Sequence, residues 1–195
     1  MTGRTKRQAA RSLDAMEWEL GLHDWAALPC RSCWNAAHVP DELRRLALAR
    51  TTDAAKPTGI EYHVFQETWA TWTAVPVARV LMAGLTRRTL SPAARHAFLD
   101  LLWSFVVADD EEIAEACKDV VRTGLGTLYE EVFSGRAIGT AMFAYWLLDD
   151  VDEPARVERL LRDARHLLPE DLHPDPPDAA WPGPHPVRPR ARHTR

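Results

Sequence analysis

Two stretches of the chain begin alike and lie 36 residues apart: Val39-Pro40 leads into ELRRLALA, and Val75-Pro76 leads into VARVLMAGL. Each places a proline in the first turn of a helix, where no N–H is needed, and then spaces apolar residues three and four apart. Leu46-Ala47 stands in the register of Met82-Ala83. A period of this length is that of a helix pair, and such pairs bury their apolar faces only by stacking on one another. The expected fold class is therefore all-α, built from antiparallel helix pairs packed side by side. Stacked pairs make binding surfaces, so the first functional expectation is recognition rather than catalysis.

The rest of the chain divides around this repeat. Residues 1–11 read as a flexible basic arm, 12–168 as the helical-repeat domain, and 169–195 as a disordered tail in which eight prolines fall among 27 residues. Between Leu13 and Leu28 a short helix or extended segment is expected to pack its tryptophans on the first helix pair, with Pro29 closing it. Helices are expected over residues 40–50, 60–72 and 76–88. Of these, 60–72 is rich in β-branched and aromatic residues that also suit a strand, and its neighbours decide for helix. Ser91-Pro92 announces the next helix as an N-cap followed by proline. Acids at 109–112 then open another. From Ile113 the apolar phase runs to Gly135, as one long helix or as two joined at Gly124–Gly126. Two more helices follow, over 137–151 and from Pro154 with Asp152 as cap. Residues expected in the core include Leu46, Val80, Leu81, Phe98, Leu101, Leu102, Phe105, Val120, Leu128, Val132, Tyr145, Leu148 and Leu161. No strand is required anywhere.

The net charge of −4 conceals a separation along the chain: 24 of the 28 acids but only 16 of the 24 basic residues lie between positions 12 and 168. An acidic body with basic ends is a poor general binder of nucleic acid, because attraction to phosphate needs a basic face. A basic protein partner fits better. No apolar run approaches the ~18 residues of a membrane span, and the N-terminus does not resemble a signal peptide, so a cytoplasmic protein without membrane contact is expected. Phosphate-loop, Gly-x-Ser-x-Gly and His-Glu-x-x-His motifs are absent, which removes the strongest grounds for proposing an enzyme.

The sharpest local pattern is Cys30-x-x-Cys33, with His38 after it and His23 before it. Two thiolates and two imidazoles make a tetrahedral zinc set, and the two-residue gap lets both sulfurs reach one metal. All four candidates fall within sixteen residues, however, and zinc modules usually gather their ligands across a longer loop. The favoured expectation is that the cysteines are small packing residues, that no cofactor is bound, and that zinc at His23, Cys30, Cys33 and His38 is the alternative. His63 and Glu67, one helical turn apart if 60–72 is a helix, together with Glu130-Glu131, suggest a carboxylate–histidine site, but the pair of Glu-x-x-His motifs that such helical sites need is absent. Solvated charges are the expectation there. In the tail, Trp181 between prolines could serve as a docking handle.

The stretches AAHVPDELRRLALA, ARHAFLDLLW, ACKDVV, LYEEVFSG and AYWLLDDVDE, with the Val-Pro echo at 75–83, resemble helical-repeat proteins of the HEAT-like class. They resemble in particular small members from high-GC actinobacteria, a group that includes proposed immunity proteins of polymorphic toxin systems. The resemblance covers roughly residues 36–168. It implies a short α-solenoid without a catalytic centre, acting as a protein-interaction module, with neutralisation of a basic toxin as one role. A HEAT-like nucleic-acid-associated protein is the remaining alternative, and the acidic body opposes it.

Overall fold

The computed structural model describes residues 14–172. Eight α-helices make up the body: α1 (Ala15–Leu20), α2 (Val39–Leu48), α3 (Ala74–Leu85), α4 (Pro92–Val106), α5 (Glu111–Arg122), α6 (Leu125–Phe133), α7 (Ile138–Val151) and α8 (Pro154–Asp163). A two-stranded antiparallel hairpin, β1 (Phe65–Gln66) and β2 (Trp69–Ala70), interrupts them between α2 and α3. Among the described residues the fold is all-α apart from this hairpin. No helix among the described residues is long and apolar enough to cross a membrane.

The helix ends follow the chemistry of their residues. Asp14 opens α1 by accepting N–H bonds from Met16 and Glu17 at 3.0 and 3.2 Å. Ser91 opens α4, its Oγ accepting from the Ala94 N–H at 3.1 Å, with Pro92 in the first turn. Asp110 opens α5 through the Ile113 N–H at 3.1 Å, and Glu111 and Glu112 place negative charge at its N-terminus. The apolar run from Ile113 is two helices rather than one. They part at Gly124, where a Cβ would collide with the Met82 side chain, so the break also lets α3 approach. Gly135 follows α6 at φ 58°, the left-handed conformation that glycine supplies without strain.

One continuous apolar core runs from Met16 and Leu20 of α1 through Leu43 and Leu46 of α2 to Val157 and Leu160 of α8. Helix α4 lies at its centre, packing on α2, α3, α5 and α7, and supplies the fully buried Phe98, Leu99, Leu102 and Phe105. Every residue named above as core is buried except Leu161, which is half-buried against the same cluster.

Four expectations change. Residues 60–72 do not form a helix: Tyr62 and Glu67 take positive φ (66° and 57°), each reversing the chain, and the hairpin lies beyond the first of them. Trp69, in β2, and Trp72, just beyond it, are consequently exposed. Trp18 is also exposed, while Trp25 is buried with its indole N–H donating to the Leu20 carbonyl at 2.9 Å. Asp152 is not the N-cap of α8. That place belongs to Glu153, and Asp152 instead accepts the Tyr129 hydroxyl at 2.6 Å and the Glu153 N–H at 2.8 Å. Residues 170–172 form a short 3-10 turn whose Leu172 packs on the core. The arm at 1–11 and Trp181, with the rest of the proline-rich stretch from 173 onward, lie outside the described residues.

Candidate metal centre

Residues 29–38 form a strap between α1 and α2, without regular structure and fastened at several points. The Ala36 N–H returns to the Leu28 carbonyl at 3.1 Å. Asn35 turns the chain through its own side chain, its Oδ1 accepting the Ala37 N–H at 3.1 Å, and its carbonyl accepts the Cys33 thiol at 3.2 Å. A second segment lies across this strap. The Arg31 N–H donates to the His63 carbonyl at 2.9 Å, the Ser32 hydroxyl donates to the Tyr62 carbonyl, and the Thr73 hydroxyl reaches back to the Pro29 carbonyl at 2.6 Å.

That second segment is positioned by its apolar residues. Pro57 starts a tight turn whose carbonyl accepts the N–H groups of Ile60 and Glu61, both at 2.8 Å. Ile60 and Val64 plunge fully into the core on either side of His63, which leaves its ring at the surface above the cysteines.

Four potential ligands therefore converge. Cys30, Cys33, His38 and His63 each bring one ligand atom into a group whose members all lie within 4.8 Å of one another. His63 Nδ1 stands 3.2 Å from Cys30 Sγ and 3.4 Å from Cys33 Sγ, and His38 Nδ1 stands 3.7 Å from Cys33 Sγ. With zinc bonds of ~2.3 Å to sulfur and ~2.0 Å to nitrogen, tetrahedral angles put neighbouring sulfur and nitrogen atoms about 3.5 Å apart. The three measured separations straddle that value. Hydrogen bonding alone accounts for them less well, because a single imidazole nitrogen faces two sulfurs and can share only one proton at a time. His38 occupies the N-cap position of α2 but makes no capping bond, and its Nδ1 faces Cys33 Sγ instead.

Burial and the neighbouring groups set the protonation of these ligands. Burial, reinforced by the neighbouring His38, holds His63 below the ordinary imidazole range, so the ring is in the neutral form that ligates metals. The Cys33 thiol is pushed up, chiefly by its contact with Cys30, then by desolvation and by repulsion from a Cys30 thiolate, against a smaller opposing pull from the Asn35 backbone. Two adjacent thiolates are unfavourable alone and become favourable around a divalent ion, which inverts the local charge balance.

The structure thus gathers three of the four residues expected for zinc, Cys30, Cys33 and His38, and leaves out His23. That ring lies at the end of α1, with Nε2 3.1 Å from Glu19 Oε1 and its edge toward Trp25. Its place is taken by His63, which becomes available because residues 60–72 turn back instead of continuing as a helix. The imagined pairing of His63 with Glu67 falls with that helix. Glu131 is buried in an ion pair with Arg95, and Glu130 pairs with Arg136, so neither contributes to a metal site. Cys117 is buried in α5, where burial pushes its thiol up to about 12. Among the described residues no second group of three or more such side chains converges.

Comparison of the chain with protein-family models, with curated proteins and with solved structures finds no match.

Proposed function

We propose that this chain is a zinc-binding helical protein in which Cys30, Cys33, His38 and His63 hold a structural ion. The observation that carries this reading is the convergence of four ligand atoms within 4.8 Å from two segments that only the fold brings together. Four protein ligands fill a tetrahedral shell and leave no open position for substrate, which is the arrangement of a structural rather than a catalytic zinc. The ion would clamp the strap between α1 and α2 to the loop that precedes α3. The test is metal analysis of the full-length protein after gel filtration. One zinc per chain is expected, lost from the C30S/C33S and H63A variants and retained by H23A. A wild-type chain without stoichiometric zinc, or an H63A variant that keeps it, overturns the assignment.

A second reading, a protein-interaction module, is favoured by what the clamped segments carry. Trp34 is 98% exposed directly after Cys33, and Tyr62, Trp69 and Trp72 are exposed on the facing loop. The acidic body suits a basic partner, such as a toxin neutralised by an immunity protein, since complementary charge speeds encounter. The pairing of α3 with α4 and of α6 with α7 supports a short HEAT-like solenoid as the scaffold, whereas the packing of α4 on α7 as well as on α2, α3 and α5 is that of a helical bundle. Its test is capture from the native host: a basic protein retained by wild type, released by salt and lost from W34A supports this role, and retention by W34A counts against the aromatic surface.

A further inference from the structure

Cys30 and Cys33 differ in access although they touch the same imidazole. Cys33 is exposed, whereas Cys30 is partly covered behind it, and the two sulfurs lie within 4.8 Å of each other. Only Arg31 and Ser32 separate them, in a bend rather than a helix, so the two sulfurs stand close with a short chain between them. The remaining described cysteine, Cys117, is fully buried in α5. An oxidant arriving from solvent therefore meets one thiolate first, finds a second directly behind it, and cannot reach the third.

Resting on the zinc reading, we infer that Cys30 and Cys33 are a modification site at which a hydroperoxide oxidises the clamp to a disulfide and expels the ion. The Cys33 thiolate attacks one peroxide oxygen and the O–O bond breaks; with hydrogen peroxide, Cys33 becomes a sulfenic acid and the departing hydroxide takes a proton to leave as water. The Cys30 thiolate then attacks the Cys33 sulfur, the S–O bond breaks, and the second hydroxide leaves as water with a second proton. Two thiolates, one peroxide and two protons yield one disulfide and two waters. The sulfurs lose two electrons, the peroxide gains them, and the zinc ion is released unchanged.

Release follows from the ligand count. A disulfide sulfur is a poor zinc ligand, so oxidation leaves only His38 and His63, half of the shell. What then loosens is the cross-tie between the strap and the loop carrying Tyr62, whose positive φ of 66° is maintained by the bonds fastened around the site. The segments freed are those bearing the exposed aromatics Trp34, Tyr62, Trp69 and Trp72, so peroxide would change the presentation of this surface.

The experiment adds hydrogen peroxide to full-length, zinc-loaded protein while a metallochromic dye reads free zinc, followed by alkylation under denaturing conditions and peptide mapping. One zinc released per chain is expected, with alkylatable thiols falling from three to one, the survivor being Cys117, and with a Cys30–Cys33 disulfide in the map. Reduction with added zinc should restore the starting state, and C117A should release zinc as wild type does. A chain that holds no zinc before peroxide is added overturns the zinc reading and this inference with it. A chain that holds zinc and keeps it through peroxide treatment, or that loses it with Cys33 carried to sulfinic acid and no disulfide, overturns this inference alone.

Discussion

At the residue scale, the two buried groups with most at stake are Arg95 and Cys117. Arg95 is almost wholly enclosed, and its guanidinium makes three hydrogen bonds: Nη1 donates to the Leu85 carbonyl at 3.0 Å and to Glu131, and Nη2 donates to the Arg87 carbonyl at 2.6 Å. It satisfies carbonyls left over at the end of α3 while Glu131 of α6 neutralises it. R95M leaves the buried Glu131 only the longer contact with Arg136 at 3.4 Å, so it is expected to lower unfolding free energy by about 3 kcal/mol in urea denaturation. R95M/E131L should recover part of that loss, because the buried carboxylate is gone while the Leu85 and Arg87 carbonyls still lack their guanidinium donors. Equal stability of R95M and wild type would show that the pair contributes nothing. Cys117 makes a prediction about pH. Its thiol is raised from 9.0 to about 12 by burial, so above pH 9 the unfolded chain has lost a proton that the folded chain keeps. The folded state then binds more protons, and stability falls as pH rises, by up to about 1.4 kcal/mol per pH unit. The stability difference between wild type and C117A should therefore move in favour of C117A between pH 9 and 11, and a difference independent of pH would refute the assignment.

At the scale of elements, two helical glycines with the same local propensity should answer oppositely to alanine. Gly126 in α6 has open space where a Cβ would stand, so G126A is expected to gain up to about 1 kcal/mol from helix propensity. Gly84 in α3 is where α1 and α4 close on that helix. A Cβ there would strike the ring of the fully buried Phe98 and come within 3.3 Å of Met16 Sδ. Overpacking of this kind costs about 1–3 kcal/mol, which exceeds the propensity gain, so G84A should melt lower than wild type. Matching gains from both variants would mean that the three-helix contact is looser than described. The elements also differ in how far the sequence reveals them. Helices α4 and α5 were legible because Ser91-Pro92 and Asp110 are local capping chemistry that needs no tertiary partner. Residues 60–72 were not, because Tyr62 and Glu67 adopt positive φ without the glycine or asparagine that advertises it, in a segment held by long-range contacts: Ile60 and Val64 in the core and the Tyr62 carbonyl on Ser32. The site shares this division. Cys30, Cys33 and His38 announce themselves by spacing, whereas His63 joins from 25 residues beyond His38 only through the turn that a helical reading erased.

At the scale of the whole molecule, the proposed ion sits at one end of a core that does not depend on it for closure. All four ligands precede α3, while Leu81, Phe98, Leu102, Phe105, Leu128 and Leu147 are fully buried among helices α3 to α7. Small zinc modules unfold without metal because they have little else to bury. Here α1 and α2 also keep apolar anchors, Met16 and Leu20 on one and Leu43 and Leu46 on the other, in the same continuous core. Stripping zinc with a chelator is therefore expected to leave most of the far-ultraviolet helical signal in place and to act on the clamped segments. Chymotrypsin reads this directly, since Trp34, Tyr62, Trp69 and Trp72 are exposed side chains on backbone that the clamp holds. Cleavage at these four positions should accelerate on chelation, ahead of cleavage at the helical Trp103 and Trp146, and should slow again when zinc is restored. Collapse of the helical signal on chelation would place the ion at the foundation of the fold instead of at its edge. An unchanged cleavage pattern in protein proven to have lost its zinc would show that hydrogen bonds, and not the metal, hold the strap to its loop.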